Sequence, residues 1–230
     1  HHLHAPMIRS AISLGIPILC EKPIAQDLDT AIEIVNDVEQ LNRKVGINYQ
    51  YRYNPYCQKL IAYAQHDIGQ IHYVQINIPW HREPEYFHLS NWHKRIATAG
   101  GGTLLTQGSH FLDIALLAVD SKPISAAGIT AQKVFNQSDI EIEDYAHAVI
   151  TTQKGTHIEI TSSMVAYPQQ SATITIYGEK GQGSFSATER PYFLSRGSRP
   201  TNRQIQLPFG VHPLARSLQG FRNWIEFGQP

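Results

Sequence analysis

No stretch of this sequence is apolar for the roughly 20 residues that a bilayer-spanning helix needs, and neither sign of charge predominates. Nineteen Lys and Arg stand against nineteen Asp and Glu, and charged residues are sparse at 17%. Without a basic excess no nucleic-acid partner is expected, and no acidic tail is present. Cysteine is scarce: Cys20 and Cys57 are too few for a disulfide framework and suit a reducing compartment in which both stay thiols. The opening His1-His2-Leu3-His4-Ala5-Pro6 is neither cationic nor followed by a long apolar core. No secretory leader is therefore expected, no membrane partner either, and a cytoplasmic location is the default. Low-complexity tracts and repeats are missing. The twelve histidines include His1, His2 and His4 near the start and His81, His88 and His93 in one loop, yet no H-E-x-x-H or comparable tight spacing occurs. No metal is expected. Ser162-Ser163 has no nucleophile-elbow context, which argues against a serine hydrolase.

What is present is a 42% apolar chain of 230 residues, enough for one large domain or two small ones. Pro6 to Leu14 reads as a helix closed by Gly15, and Ile16 to Cys20 as a short buried strand. A second helix follows, with Leu28, Ala31, Ile32, Val35, Val38 and Leu41 on one face, Asp27 as its cap and Arg43 and Lys44 suiting its end. Val45 to Asn48 reads as another strand, so residues 1–48 form a parallel α/β unit. A helix runs from Asn54-Pro55 to about His66. The texture then changes to period-two alternation in Ile71 to Ile78, around Ile158 and Ile160, and around Ile174 and Ile176, as in a sheet with one wet face. Lys154-Gly155 and Gly178-Glu179-Lys180-Gly181 supply hairpin turns. Residues 49–230 thus read as a mostly antiparallel open-sheet domain, backed by a helix beginning near Thr103. Arg190 to Pro208 reads as loop and Leu214 to Phe227 as a last helix. The fold class is α/β followed by α+β.

Two stretches carry chemistry. Glu21-Lys22-Pro23 directly follows the first strand, and ligands in open α/β sheets sit at the carboxyl ends of strands. Lys22 either reaches such a ligand or is an ordinary solvated lysine. In the second stretch, Gly100-Gly101-Gly102 leads to Thr106-Gln107-Gly108-Ser109-His110-Phe111-Leu112-Asp113. At helical spacing Thr106, His110 and Asp113 fall within roughly 60° of one another. His110 can exchange a proton near neutral pH, with Asp113 orienting it from one turn away. The alternative is a helix docked by its leucines with a hydrogen-bonded histidine at the edge. The glycines admit a chain segment or a ligand close to the helix start. Trp80 to Arg95 mixes aromatic and basic residues, as a sugar platform or plain loop packing would.

These stretches, in this order, resemble the Gfo/Idh/MocA family of oxidoreductases. The resemblance runs through His1-Leu3-His4-Ala5-Pro6, Glu21-Lys22-Pro23, Gln50-Tyr51-Arg52-Tyr53-Asn54-Pro55, Ile68-Gly69-Gln70-Ile71, Trp92, the glycine run, His110-x-x-Asp113 and Gly178-x-x-Gly181. It implies an enzyme using NAD or NADP on a small-molecule sugar, polyol, cyclitol or nucleotide-linked sugar, and a homodimer or homotetramer. Lys22 and His110 would be catalytic. Glu21, Lys22, Pro23, His4, Gln50 and Arg52 would lie at the cofactor. Lys22, Arg52, Trp92, Thr106, Gln107, His110 and Asp113 would contact the substrate, Trp92 from a closing loop.

Two departures matter. The family's aspartate four residues before the histidine is Thr106 here, a hydroxyl that cannot act as a base. No Gly-x-Gly-x-x-Gly occurs in the sequence, so the phosphate cradle of the resemblance is lacking. The first 48 residues are then expected to be the latter part of a Rossmann-type domain, with weak binding of the cofactor by these residues alone. A second hypothesis is an inactive fragment that serves as a sheet-mediated association module.

Overall fold

The computed structural model describes residues 1–88, 91–135, 139–187, 192–195 and 212–228. The chain opens with α1 (His4–Ser13), β1 (Ile18–Glu21), α2 (Leu28–Gln40) and β2 (Val45–Asn48). β1 and β2 pair in parallel with Glu21 opposite Asn48, so both strands end on the same side. Ile8, Ile12, Cys20 and Ile34 form the core of this unit. The Asp27 carboxylate caps α2 by accepting the Thr30 N–H at 2.8 Å.

Only part of the expected apolar face of α2 is buried, and its centre is Ile34, which that face did not include. Leu28, Ile32, Val35 and Leu41 are exposed, whereas Ile34 is fully buried, with Ala31 and Val38 packed beside it. Spacings of three and four residues fix this stripe as well as the other, and docking on α1 and β1 selects it. Arg43 and Lys44 likewise serve other helices than their own. Arg43 Nε donates to the Ile12 carbonyl in the last turn of α1 at 3.0 Å. Lys44 Nζ donates to the Trp224 and Ile225 carbonyls at 3.0 and 3.1 Å.

After a 3₁₀ turn (Gln50–Tyr53) come α3 (Pro55–His66), β3 (Ile71–Pro79), α4 (Glu85–His88), a second 3₁₀ turn (Asn91–Lys94) and α5 (Ile96–Ala99). Asn54 caps α3 through its side chain, with proline in the first turn. A π-helical turn (Leu104–Gly108) runs straight into α6 (Ser109–Val119). Then follow β4 (Pro123–Ala131), β5 (Tyr145–Thr152), β6 (His157–Ser163), β7 (Thr173–Gly178), β8 (Gly181–Ser186), β9 (Tyr192–Ser195) and α7 (Pro213–Phe227). The strands β3 to β9 make one seven-stranded sheet in the order β4-β5-β6-β3-β7-β8-β9. Only β3 and β6 run parallel. Residues 192–195 are thus strand where loop was expected; 190, 191 and 196–208 lie outside the described residues.

Alternation holds where it was read. Val74, Ile76, Ile158, Ile160, Ile174 and Ile176 face α3 and α6 and meet Leu60, Phe111 and Ile114. Each such side chain contributes about 1.5–3 kcal/mol on burial. Tyr73 and Tyr177 stack on the opposite face, ring centroids 4.4 Å apart. Both hairpin turns form, Gly155 with φ +80°. α7 returns to the first unit, where Ser217 Oγ donates to Asn48 Oδ1 at 2.7 Å.

Candidate active site

The site is built where β1 ends. Glu21 lies opposite Asn48, whose Nδ2 donates to Glu21 Oε1 at 2.6 Å. The Ser217–Asn48–Glu21 chain holds this strand end from α7. Immediately beyond it, Lys22 Nζ donates to the Thr106 carbonyl at 2.5 Å, 84 residues away in sequence. The Thr106 carbonyl has two lone pairs and can take this donor besides any helical one. It sits one turn before His110, so the lysine reaches the turn that carries the histidine. Burial pushes the Lys22 ammonium down from the ordinary lysine value, with Glu21 opposing. His4 Nδ1 donates to the Pro23 carbonyl at 2.6 Å and fixes the backbone after the lysine.

His110 is only 8% exposed. Its ring meets Tyr51 edge-on at 5.3 Å and Tyr49 at 6.0 Å. Burial first, then the Lys22 charge, push its pKa down to about 3. The imidazole is therefore neutral at any ordinary pH. Its Nδ1 is buried and has no partner among the described residues. Lys22 Nζ is tied to the Thr106 carbonyl, one turn before His110 in the same helical stretch.

The other expected site residues divide. Trp92 joins Glu21, Lys22 and His4 around a cavity of about 490 Å³, its ring 4.8 Å from that of His1. Trp80, from the same loop, instead packs against Phe111 under the Arg82 guanidinium. Asp113 does not orient His110. Arg52 holds it by two bonds, Nε to Oδ2 at 2.8 Å and Nη2 to Oδ1 at 2.5 Å. This pair lines a separate cavity with Leu116 and Asp120, so Arg52 is engaged away from Lys22. The Thr106 hydroxyl is also spoken for, donating back to the Gly102 carbonyl at 2.7 Å; its backbone, not its side chain, serves the site. Gln107 is buried and accepts from the Thr103 hydroxyl at 3.2 Å.

Sequence reasoning missed Tyr49 and Asn48, although both flank the Gln50-Tyr51-Arg52 string at the end of β2. It also missed Glu143, whose carboxylate accepts the Gly102 and Leu104 N–H groups. The glycines do admit close neighbours, and these are chain segments. A Cβ on Gly100, which has φ +82°, would lie 2.2 Å from the Gln26 carbonyl oxygen, and one on Gly102 would lie 1.9 Å from that of Glu143.

A nicotinamide cofactor fits the donor set at this end of β1 and β2. Besides His110 Nδ1, the buried atoms Gln50 Oε1 and His2 Nδ1 have no protein partner among the described residues, and buried polar atoms of this kind call for one. Among the described residues no three His, Cys, Asp or Glu side chains are grouped to hold a metal. No helix there is long and apolar enough to cross a membrane. Cys20 and Cys57 are unpaired and buried, which pushes both thiols up.

Comparison with known proteins agrees with this fold. Residues 1–49 match the oxidoreductase family with an NAD-binding Rossmann fold, and residues 58–183 match the GFO/IDH/MocA C-terminal domain. The uncharacterized oxidoreductase YrbE of Bacillus subtilis is 24% identical over 206 residues, which is 88% of this chain and 55% of YrbE. The chain thus spans about half the length of that relative. An oxidoreductase domain protein from Kribbella flavida superposes with a TM-score of 0.84 at 18% identity, covering 98% of this chain and 70% of that one. The WlbA dehydrogenase from Bordetella pertussis, solved with NADH and UDP-GlcNAcA, gives a TM-score of 0.78 at 24% identity over 99% of this chain and 63% of its own. A lysine at a strand end and a buried neutral histidine one turn from its anchor are therefore met here in a chain that belongs to the Gfo/Idh/MocA family of NAD-binding oxidoreductases.

Proposed function

We propose that these residues form the proton-handling centre of an NAD(P)-dependent dehydrogenase that interconverts a secondary alcohol and a ketone on a sugar, cyclitol or nucleotide-linked sugar. The observation that carries the reading is the anchoring of Lys22 on the turn that bears a neutral, unpartnered His110. In the oxidative direction the carbinol C–H bond breaks and its electron pair leaves with the hydrogen, the O–H proton departs, and the C=O bond forms. A bound nicotinamide would supply the acceptor for that hydrogen and its electron pair. Lys22, with N–H donors beyond the one given to Thr106, holds the hydroxyl oxygen and stabilises the negative charge that grows on it. His110 Nδ1 takes the proton and, because the nearby ammonium disfavours the imidazolium, gives it up to solvent once the ketone has formed. Tyr49 and Tyr51 pack edge-on against the ring and hold its orientation. Glu21, Pro23, His4 and Gln50 would hold the nicotinamide side.

Titrating NADH against tryptophan fluorescence, and following NADH formation with inositols, aldoses and UDP-sugars, tests this. Lys22→Ala and His110→Ala should each lower turnover by about 10²–10⁴-fold. A variant with near-normal turnover removes that residue from the chemistry.

A second reading is favoured by the outer face of the seven-stranded sheet, where Gln75, His147, Glu159, Thr161 and Thr175 lie together beyond the helices. This face would bury itself in a homodimer or homotetramer, with or without turnover. A dimer by light scattering together with no response to NADH would favour association as the sole role. The paired absence of disulfide and presence of buried thiols points to the cytoplasm as the place of action.

A further inference from the structure

Segment 139–144 reads Asp-Ile-Glu-Ile-Glu-Asp, and its alternation is used on both sides. Ile140 and Ile142 enter a core cluster with Phe87, Phe135 and Met164. The acids turn the other way, onto the loop that leads to α6. Asp139 pairs with Lys94 at 2.8 Å. Glu141 takes Arg95 Nη1 at 2.9 Å and the Ile96 N–H at 3.1 Å. Glu143 takes the Gly102 N–H on Oε2 at 2.6 Å and the Leu104 N–H on Oε1 at 3.1 Å, while its carbonyl accepts the Thr103 N–H at 3.1 Å. Asp144 anchors the far end by accepting three backbone N–H groups, from Lys133, Val134 and Phe135.

The turn that begins at Leu104 has no side-chain cap of its own; neither Thr103 nor Gly108 supplies one. Glu143, about 40 residues on, fills that place with a carboxylate, the group a helix start favours. The link continues inward. Gly102 gives its N–H to Glu143 and its carbonyl to the Thr106 hydroxyl, and Thr106 gives its carbonyl to Lys22. Gly102 has no room for a Cβ because the Glu143 backbone lies against it.

We propose that Glu143 is a positioning residue: by capping the π-helical turn from outside, it sets the Thr106 carbonyl that aims Lys22 and the ring position of His110. The assignment rests on the reading of Lys22 and His110 as the reacting pair, and its test needs no turnover. In isotopically labelled protein, the titration of the Lys22 ε-carbon resonance, the ring shifts of His110 and the amide exchange of Gly102 and Leu104 are followed in wild type, Glu143→Ala, Glu143→Gln and Glu141→Gln. In Glu143→Ala the two amides exchange faster by about tenfold or more, the Lys22 midpoint rises toward the ordinary lysine value, and the His110 shifts move. Glu143→Gln, which keeps one acceptor oxygen and the side-chain shape, shows the same changes in smaller degree, and serves alone if the alanine variant does not fold. Glu141→Gln leaves Lys22 and His110 as in wild type. Unmoved Lys22 and His110 signals in the Glu143 variants overturn the proposal even if the amides exchange faster, since Glu143 would then only hold the loop. Failure of the redox reading shows separately, as near-normal turnover in Lys22→Ala and His110→Ala.

Discussion

His110 and Asp113 stand one turn apart on α6 and live in opposite settings. His110 is buried, its Nδ1 without a partner among the described residues, and its protonated form is disfavoured by burial and by a nearby ammonium. Asp113 meets a guanidinium through two hydrogen bonds and lines a different cavity. One residue is left poised, the other is satisfied. Leaving a polar group unpaired inside costs about 1–3 kcal/mol, which supports the proposal that His110 lies on the reacting side of the helix. Asp113 marks its structural side, where Arg52 ties the 3₁₀ turn at Gln50–Tyr53 to α6.

The widest separation of the two is in turnover. Lys22→Ala and His110→Ala should lose about 10²–10⁴-fold, while Asp113→Asn should stay within about tenfold of wild type; a loss in Asp113→Asn equal to that of His110→Ala would return the aspartate to the chemistry.

Next in size is acid stability. The folded-state pKa of His110 is depressed to about 3, against an ordinary histidine value of about 6.5 in the unfolded chain. Between these values the unfolded chain binds a proton that the folded one does not. The stability from burying the neutral ring is therefore complete above about pH 6.5 and is lost as pH falls toward 3, on the order of a few kcal/mol. Chemical denaturation across that range should show a shallower slope for His110→Gln. Equal slopes in the two proteins would mean that the ring is solvated.

Smaller still is the effect of the satisfied pair on folding. The Arg52 side chain is 48% exposed and Asp113 13%, so solvent screening limits Asp113→Asn to roughly 1 kcal/mol. A double-mutant cycle with Arg52→Gln checks that value, and a coupling near zero would make the pair incidental.

Much of the fold was legible in the residues. The period-two strands, the Asn54-Pro55 start of α3 and both hairpin turns follow from local chemistry and stand as read. The buried stripe of α2 was read only in part: Ala31 and Val38 pack inward as expected, but Ile34 joins them where Leu28, Ile32, Val35 and Leu41 stay exposed, a choice that docking on α1 makes. Lys22 and His110 were visible by type and position. What Lys22 holds was not, since its acceptor is a backbone carbonyl, which every residue carries. The Arg52–Asp113 bond spans 61 residues, and a helix-face argument that places Asp113 beside His110 has no means of seeing a guanidinium arriving from another element. Glu143 had a signal in the alternating acids of 139–144, but nothing in that alternation names the loop it grips.

The proximity of two basic groups is what the account stands on, and titrating His110 by NMR in wild type and Lys22→Met reads it directly. Removing the ammonium should raise the His110 midpoint while burial keeps it below the ordinary histidine value. An unchanged midpoint would mean that Lys22 and His110 do not sense one another, and that the site as described does not exist.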